Sequence, residues 1–239
     1  MSRSTLARRC FAALAATAAL LAAGCDRLPR DPERTLERVE GRVMRVGVSA
    51  NPPWTVLGAG APSGVEARLV EDFATSLGAR VVWVRGSESA LMRALEHFEL
   101  DLVVAGLTED AEWDARVGLT RPYVRTATAV GEPRDAAPTT DLTGKAVAVR
   151  EGDAAAAALR SKRAKPVPHP DPWAAGGLVA APNWELLARN YRTTRFTLRR
   201  HRHVMAVGPG ENRFLMRLER FLKPREGEVE KALIAEGGA

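Results

Sequence analysis

The sequence has two cysteines and four histidines in 239 residues, and only 5% of it is aromatic. So few thiols exclude a disulfide framework, leaving burial and hydrogen bonding to hold the fold. Beyond one stretch near the start, no run is apolar enough to span a bilayer, which takes about 20 residues. No glycine-rich phosphate loop, Ser-His-Asp pattern or zinc-ligand spacing occurs. His201 and His203 stand two apart on one side of a predicted strand. No cysteine or acidic pair accompanies them, and Arg199, Arg200 and Arg202 surround them, so they read as a solvated basic edge. No metal and no other cofactor is expected.

What is present begins with the leader. Arg3, Arg8 and Arg9 precede an apolar run from Phe11 to Ala23. That run is too short for a membrane span and has the length and flanks of an export signal. It ends in Leu21-Ala22-Ala23-Gly24-Cys25, which resembles the bacterial lipobox. The resemblance implies removal of residues 1–24 and a lipid on Cys25. Asp26 follows directly, and an aspartate there resembles the signal that keeps lipoproteins at the inner membrane. The expected location is therefore the periplasmic face of that membrane, lipid-anchored at Cys25. Arg8-Arg9 faintly resembles a twin-arginine signal, so the export route stays open between the general and twin-arginine systems.

Cys10 would leave with the leader and Cys25 would carry the lipid, so the body keeps no free thiol. The full chain has a formal charge of +6. Residues 1–24 hold three arginines and no acid, so the remaining 215 residues set 32 basic against 29 acidic side chains, an excess of three. That is too little to argue for nucleic acid, and no such partner is expected. An apolar content of 46% suffices for a packed core, in one large domain or two small lobes.

Along the chain, Asp26 to Arg42 is charged and poor in apolar residues and reads as a tether, with Asp31 as N-cap and Pro32 at the first position of a short helix. The pattern then predicts strands at 43–49, 80–85 and 101–105, alternating with helices at 66–77 and 88–98. This rhythm argues for an α/β fold with a parallel sheet. Glu132 to Thr140, with two prolines, reads as the crossing into a second lobe. Further strands are predicted at 146–150, 178–181, 196–200 and 203–207, and helices at 153–160, 184–190, 211–222 and 226–234. Ser161 to Pro172, basic and proline-rich, reads as an exposed loop.

Several segments, in order, resemble family 3 periplasmic solute-binding proteins, the two-lobed receptors of ABC importers. They are Arg45-Val46-Gly47-Val48, Asn51-Pro52-Pro53-Trp54, Gly64 to Phe73, Asp101 to Thr108, Thr120-Arg121-Pro122-Tyr123, Asp141 to Val149 with Gly152, and His203 to Leu222. The resemblance implies a two-lobed periplasmic binding protein type II-like fold with a shortened second lobe. Lobe 1 would comprise residues 43–131 and 203–239, and lobe 2 residues 132–202, after a lipidated tether at 25–42. It implies a monomeric, non-enzymatic receptor. Its partners would be a small-molecule solute, ABC importer membrane subunits, and the membrane through the lipid.

Site residues follow from the resemblance and from chain position together. Ligands of open α/β sheets settle beyond the carboxyl ends of the strands, which puts Trp54, Gly106, Thr108 and Asp153 at one crevice. Trp54 either stacks on a solute or plugs the lobe. Thr108 offers its hydroxyl and N–H to a ligand, or caps a helix starting at Glu109. Asp153 stands at a helix start and reads chiefly as that helix's cap. In the family an arginine five residues after the threonine grips the solute's carboxylate. Here that position is Trp113, and Arg116 lies three residues on. An acidic family position falls at Pro182, with Glu185 nearby. Trp113 and Trp184 read as either an apolar cleft wall or core. Two alternatives remain: a periplasmic enzyme such as a dehydratase on the same fold, with Glu66, Glu109 or Glu185 as acid or base, and a degenerate lipoprotein that binds a protein partner.

Overall fold

The computed structural model describes residues 31–110 and 116–237. The expected leader, the lipid site Cys25, Trp113 and the helix expected after Glu109 fall wholly or largely outside them.

Residues 31–42 are not a tether but part of the body. Helix α1 (Thr35–Val39) buries Thr35 and Val39. The Glu211 carboxylate accepts the N–H groups of Glu33 and Thr35 at 2.7 and 2.9 Å. Arg38 reaches the buried Asp101 carboxylate at 2.6 Å, beside Arg45 at 2.7 Å. Burial opposes the charge, but four hydrogen bonds donated by Arg45 and Arg38 outweigh it and hold the Asp101 carboxyl below its usual value. The segment docks through charge and backbone hydrogen bonds, which an apolar-pattern reading does not detect. Nor does Asp31 cap the helix: Arg34, at φ 52°, is the N-cap, with no side-chain bond.

The first sheet is built from β1 (Val43–Val48), β2 (Arg80–Arg85), β3 (Leu102–Val104), β4 (Gly118–Leu119) and β10 (Ala206–Val207), in the order β2-β1-β3-β10-β4. Strand β1 lies parallel between β2 and β3. Strand β10 runs antiparallel between β3 and β4. Helix α2 (Val65–Ser76) turns Leu69, Val70 and Phe73 inward, and the chain leaves it through Gly78 at φ 64°, the left-handed exit that suits glycine. Helix α3 (Glu88–Glu96) is capped by Ser87 and buries Leu91, Met92 and Leu95. The C-terminal helices α6 (Asn212–Leu222) and α7 (Glu226–Glu236) add Phe214, Leu218, Phe221, Val229 and Leu233 to the core around Phe73. Each such side chain contributes about 1.5–3 kcal/mol by leaving water.

The second sheet is built from β5 (Val124–Pro133), β6 (Ala146–Arg150), β7 (Lys165–His169), β8 (Val179–Pro182) and β9 (Tyr191–His203), in the order β7-β6-β8-β5-β9. Strand β6 is parallel to β7 and β8, whereas β5 is antiparallel to β8 and β9. Helices α4 (Ala155–Ser161) and α5 (Asn183–Ala188) are short, and a single 3₁₀ turn, Pro172–Ala175, replaces a full helix before β8. Two mixed sheets with helices give the expected α/β, two-lobed type II architecture.

Three details differ from the sequence reading. The second sheet already includes Val124, paired with His203, so β5 itself makes the crossing, with Pro133 as its last residue and Pro138 beyond it. The supposed loop at 161–172 contains edge strand β7. Its prolines alternate at 166 and 168, so the missing N–H groups need not face β6, while Lys165 donates to Lys145 at 2.8 Å. Finally, the strand expected at 196–200 spans thirteen residues, 191–203.

Candidate functional site

Residues at and after the carboxyl ends of β1, β6 and β8, with the turn before β8, line one cavity of about 230 Å³ between the lobes. The first lobe contributes Asn51, Pro52 and Trp54; the second contributes Arg150, Asp153, Pro172, Trp173, Ala180, Ala181, Pro182, Trp184 and Glu185. The walls lie at carboxyl ends of strands, where open α/β sheets take their ligands.

On the first lobe the wall is rigid. Asn51 exchanges backbone hydrogen bonds with Thr55 and donates from its side chain to the Ala105 carbonyl at 2.7 Å. Trp54 is 5% exposed. Its ring stacks on His203, centroids 3.9 Å apart and planes 28° apart, and meets Tyr123 edge-on. It is thus both plug and wall. Gly106, at φ 64°, passes against it: a Cβ there would come within 2.5 Å of Asn51 Nδ2 and 2.8 Å of the Trp54 ring. The Gly106 N–H donates to Glu66 Oε2 at 2.7 Å, so it is taken internally rather than offered to a solute. Tyr123 donates its hydroxyl to the other Glu66 oxygen at 2.7 Å. Glu66 is fully buried, and burial pushes its carboxyl up to about 7 against the pull of those two donors. His203 meets Thr126 Oγ1 through Nε2 at 2.9 Å, and burial holds its imidazole down to about 4, hence neutral at pH 7.

On the second lobe, Arg150 ends β6 with its side chain 61% exposed. One of its nitrogens lies 3.4 Å from Glu185 Oε1, and Arg189 Nε approaches the same oxygen at 3.8 Å. Glu185 is buried in the first turn of α5, which starts at Asn183, one residue earlier than the sequence reading had it. That start turns Glu185 into the cavity, three residues from the acidic family position that Pro182 leaves empty. Asp153 Oδ1 accepts the Ala155 N–H at 2.8 Å while also lining the cavity, but the N-cap of α4 is Ala154, which makes no side-chain bond, so Asp153 sits one residue too early to be the expected cap. Trp184 joins the lobes: it packs on the first-lobe core, and a Cβ at Gly237 would sit 2.7 Å from its ring.

The expected residues therefore divide. Trp54, Asp153 and Trp184 meet at the cavity, and Gly106 stands behind its wall. Thr108 and Arg116 do not line it. Thr108 instead bridges to His203 through the backbone, because the loop after β3 is tied to β9 there. Trp113 lies outside the described residues. Asn51, Arg150 and Trp173 were missed as site residues. For Arg150 a signal existed, since it ends a predicted strand on the crevice side. Trp173 had none, standing in a stretch with no periodicity.

Residues 44–227 match the model of the bacterial extracellular solute-binding proteins, family 3. The chain belongs to that family. Among solved structures of its fold, the L-cystine solute receptor of Neisseria gonorrhoeae, in its unliganded open conformation, has a TM-score of 0.71 at 14% identity, covering 84% of this chain and 97% of that one. An ancestral cationic amino acid solute binding protein gives 0.65 at 19% identity, covering 85% and 98%. The membrane-bound lytic murein transglycosylase F of Vibrio cholerae serotype O1 is 34% identical over 109 residues, 44% of this chain. The chain spans a fifth of that relative's length. Across the family match, the lobes described above make up a solute-binding domain.

Proposed function

We propose that this family 3 protein is a lipid-anchored, monomeric receptor that captures a small amino-acid-like solute between its lobes and hands it to an ABC importer. The observation that carries this reading is the cavity itself, with a preformed first-lobe wall and a charged second-lobe wall. Strands β5 and β9 pair from Val124–His203 to Pro133–Tyr191, with register shifts between Thr128 and Gly131, giving a two-strand hinge about which the lobes close. The anchor reading rests on the lipobox-like ending at Cys25, and the inner-membrane location on Asp26, beside an importer of that membrane.

Binding without turnover is favoured by how the carboxylates are used. Glu66 is locked between Tyr123 and Gly106, Glu109 is paired with Arg202, and Glu185 is shared by two arginines. None of the three stands as a free acid or base beside a second one.

Thermal unfolding of residues 26–239 with each of the twenty L-amino acids tests the reading. A solute at 100 times its Kd adds about 2.7 kcal/mol of stability, so at least one should raise the melting temperature by several degrees. No shift with any of them would contradict it. That outcome would favour a second reading, supported by the proline at the acidic family position 182 and the single turn in place of a helix before β8, in which the domain binds a protein partner.

A further inference from the structure

Arg150 is the one cation among the described residues that line the cavity. A guanidinium carries five donors in a planar fork, and only one contact, at 3.4 Å to Glu185, engages it here. Glu185 is shared with Arg189, which also lies over the Trp173 ring, 5.0 Å from its centroid. Arg150 and Arg189 thus meet the nearly buried Glu185, and Asp153 balances the remaining positive charge, so the cluster is neutral overall and Arg150 is the one point in the described wall that attracts an anion. Asp153, the other acid in the wall, has one oxygen committed to the backbone of α4. Among the described residues, the first-lobe wall is neutral, made by Asn51, Pro52 and Trp54.

We infer that Arg150 grips a carboxylate of the bound solute, so that acid recognition sits on the second lobe. This rests on the receptor reading above and names its substrate class: a small monocarboxylate, zwitterionic solutes included. A planar carboxylate accepts two parallel N–H bonds from the guanidinium fork. A dianion such as phosphate is disfavoured, because Glu185 and Asp153 line the same cavity. The second negative charge of such a ligand would find no second cation in the wall. Glu185 has two roles: it holds Arg150 at the mouth of β6, and it offers an acceptor to a solute's ammonium group. The neutral wall of Pro52, Trp54 and Trp173 takes the solute's apolar part.

The test uses calorimetric titration of the folded chain, residues 26–239, with the L-amino acids and benzoate, each beside its carboxamide. The expected result is that at least one acid binds and its amide does not. Arg150→Gln then weakens that acid about 30-fold or more, a typical cost of breaking a desolvated charge pair. Arg150→Lys, which keeps the charge but loses the fork, costs less. Arg93→Gln, exposed on α3 and outside the cavity, leaves binding unchanged. Because Arg150 is mostly exposed, its variants should keep the wild-type circular dichroism and melting temperature. If the amide binds as well as the acid, or Arg150→Gln changes affinity less than threefold, the assignment is overturned and the receptor reading stands. If none of the acids binds, both are overturned.

Discussion

Replacing Trp54 by alanine should destabilise the folded chain by about 3–5 kcal/mol, the usual cost of emptying a buried Trp site. The ring is 5% exposed and stands at a crossing of dependencies. His203 stacks on one side of it, Tyr123 meets it edge-on, and Gly106 is pressed close because nothing larger than hydrogen fits against the indole. The Trp54 carbonyl also accepts the Glu66 N–H at 2.9 Å, so the loop and helix α2 are joined at this residue. Trp54→Phe keeps an aromatic plug and should cost less than half as much. Urea unfolding followed by far-ultraviolet circular dichroism measures both. A loss below about 1 kcal/mol for Trp54→Ala would mean that the ring is a pliable cleft group and not part of the core.

The second large effect is electrostatic. Glu66 has a folded-state value of about 7 against an ordinary 4.5, raised by burial. The folded state therefore holds a proton that the unfolded chain has released. Its stabilising contribution is complete below about pH 4.5 and is lost as pH rises through about 7. A shift of this size corresponds to about 3 kcal/mol. His203 works in the opposite direction: lowered to about 4, it costs stability as pH falls below about 6.5. Glu66→Gln isolates the first term, because His203 titrates alike in both proteins. The amide still presents an oxygen to the Gly106 N–H and an NH₂ group to the Tyr123 hydroxyl. The stability of Glu66→Gln relative to wild type should therefore rise by about 3 kcal/mol between pH 4.5 and 8. A difference independent of pH would show that Glu66 stays charged in its buried site.

Much of this fold was legible because its elements follow simple periods. Leu69, Val70 and Phe73 recur at helical spacing, and Gly78 stops their helix where the pattern ends. Segments at odds with their own composition were misread. Pro166 and Pro168 argue against a strand unless it is an edge, which only the sheet order reveals. Residues 31–42 look solvated because their attachment depends on Asp101 and Glu211, distant in sequence. At the site, positions after strands were readable, which found Trp54 and Asp153. Pairings were not: Trp54 meets His203 across most of the chain, and the two histidines taken for a basic edge prove to be a half-buried and a buried ring, bonded to Thr128 and Thr126. Glu185 depended on a one-residue difference in where α5 begins, which lies within the uncertainty of any helix boundary.

Hydrogen–deuterium exchange of residues 26–239, with and without an equimolar mixture of the twenty L-amino acids, tests the central claim most directly. If a solute is captured between the lobes, amide protection should rise together at residues 51–54 on one lobe and at 150–155 and 173–185 on the other. No change anywhere, or protection confined to one lobe or to the surface groove between Arg121 and Lys223, would contradict it.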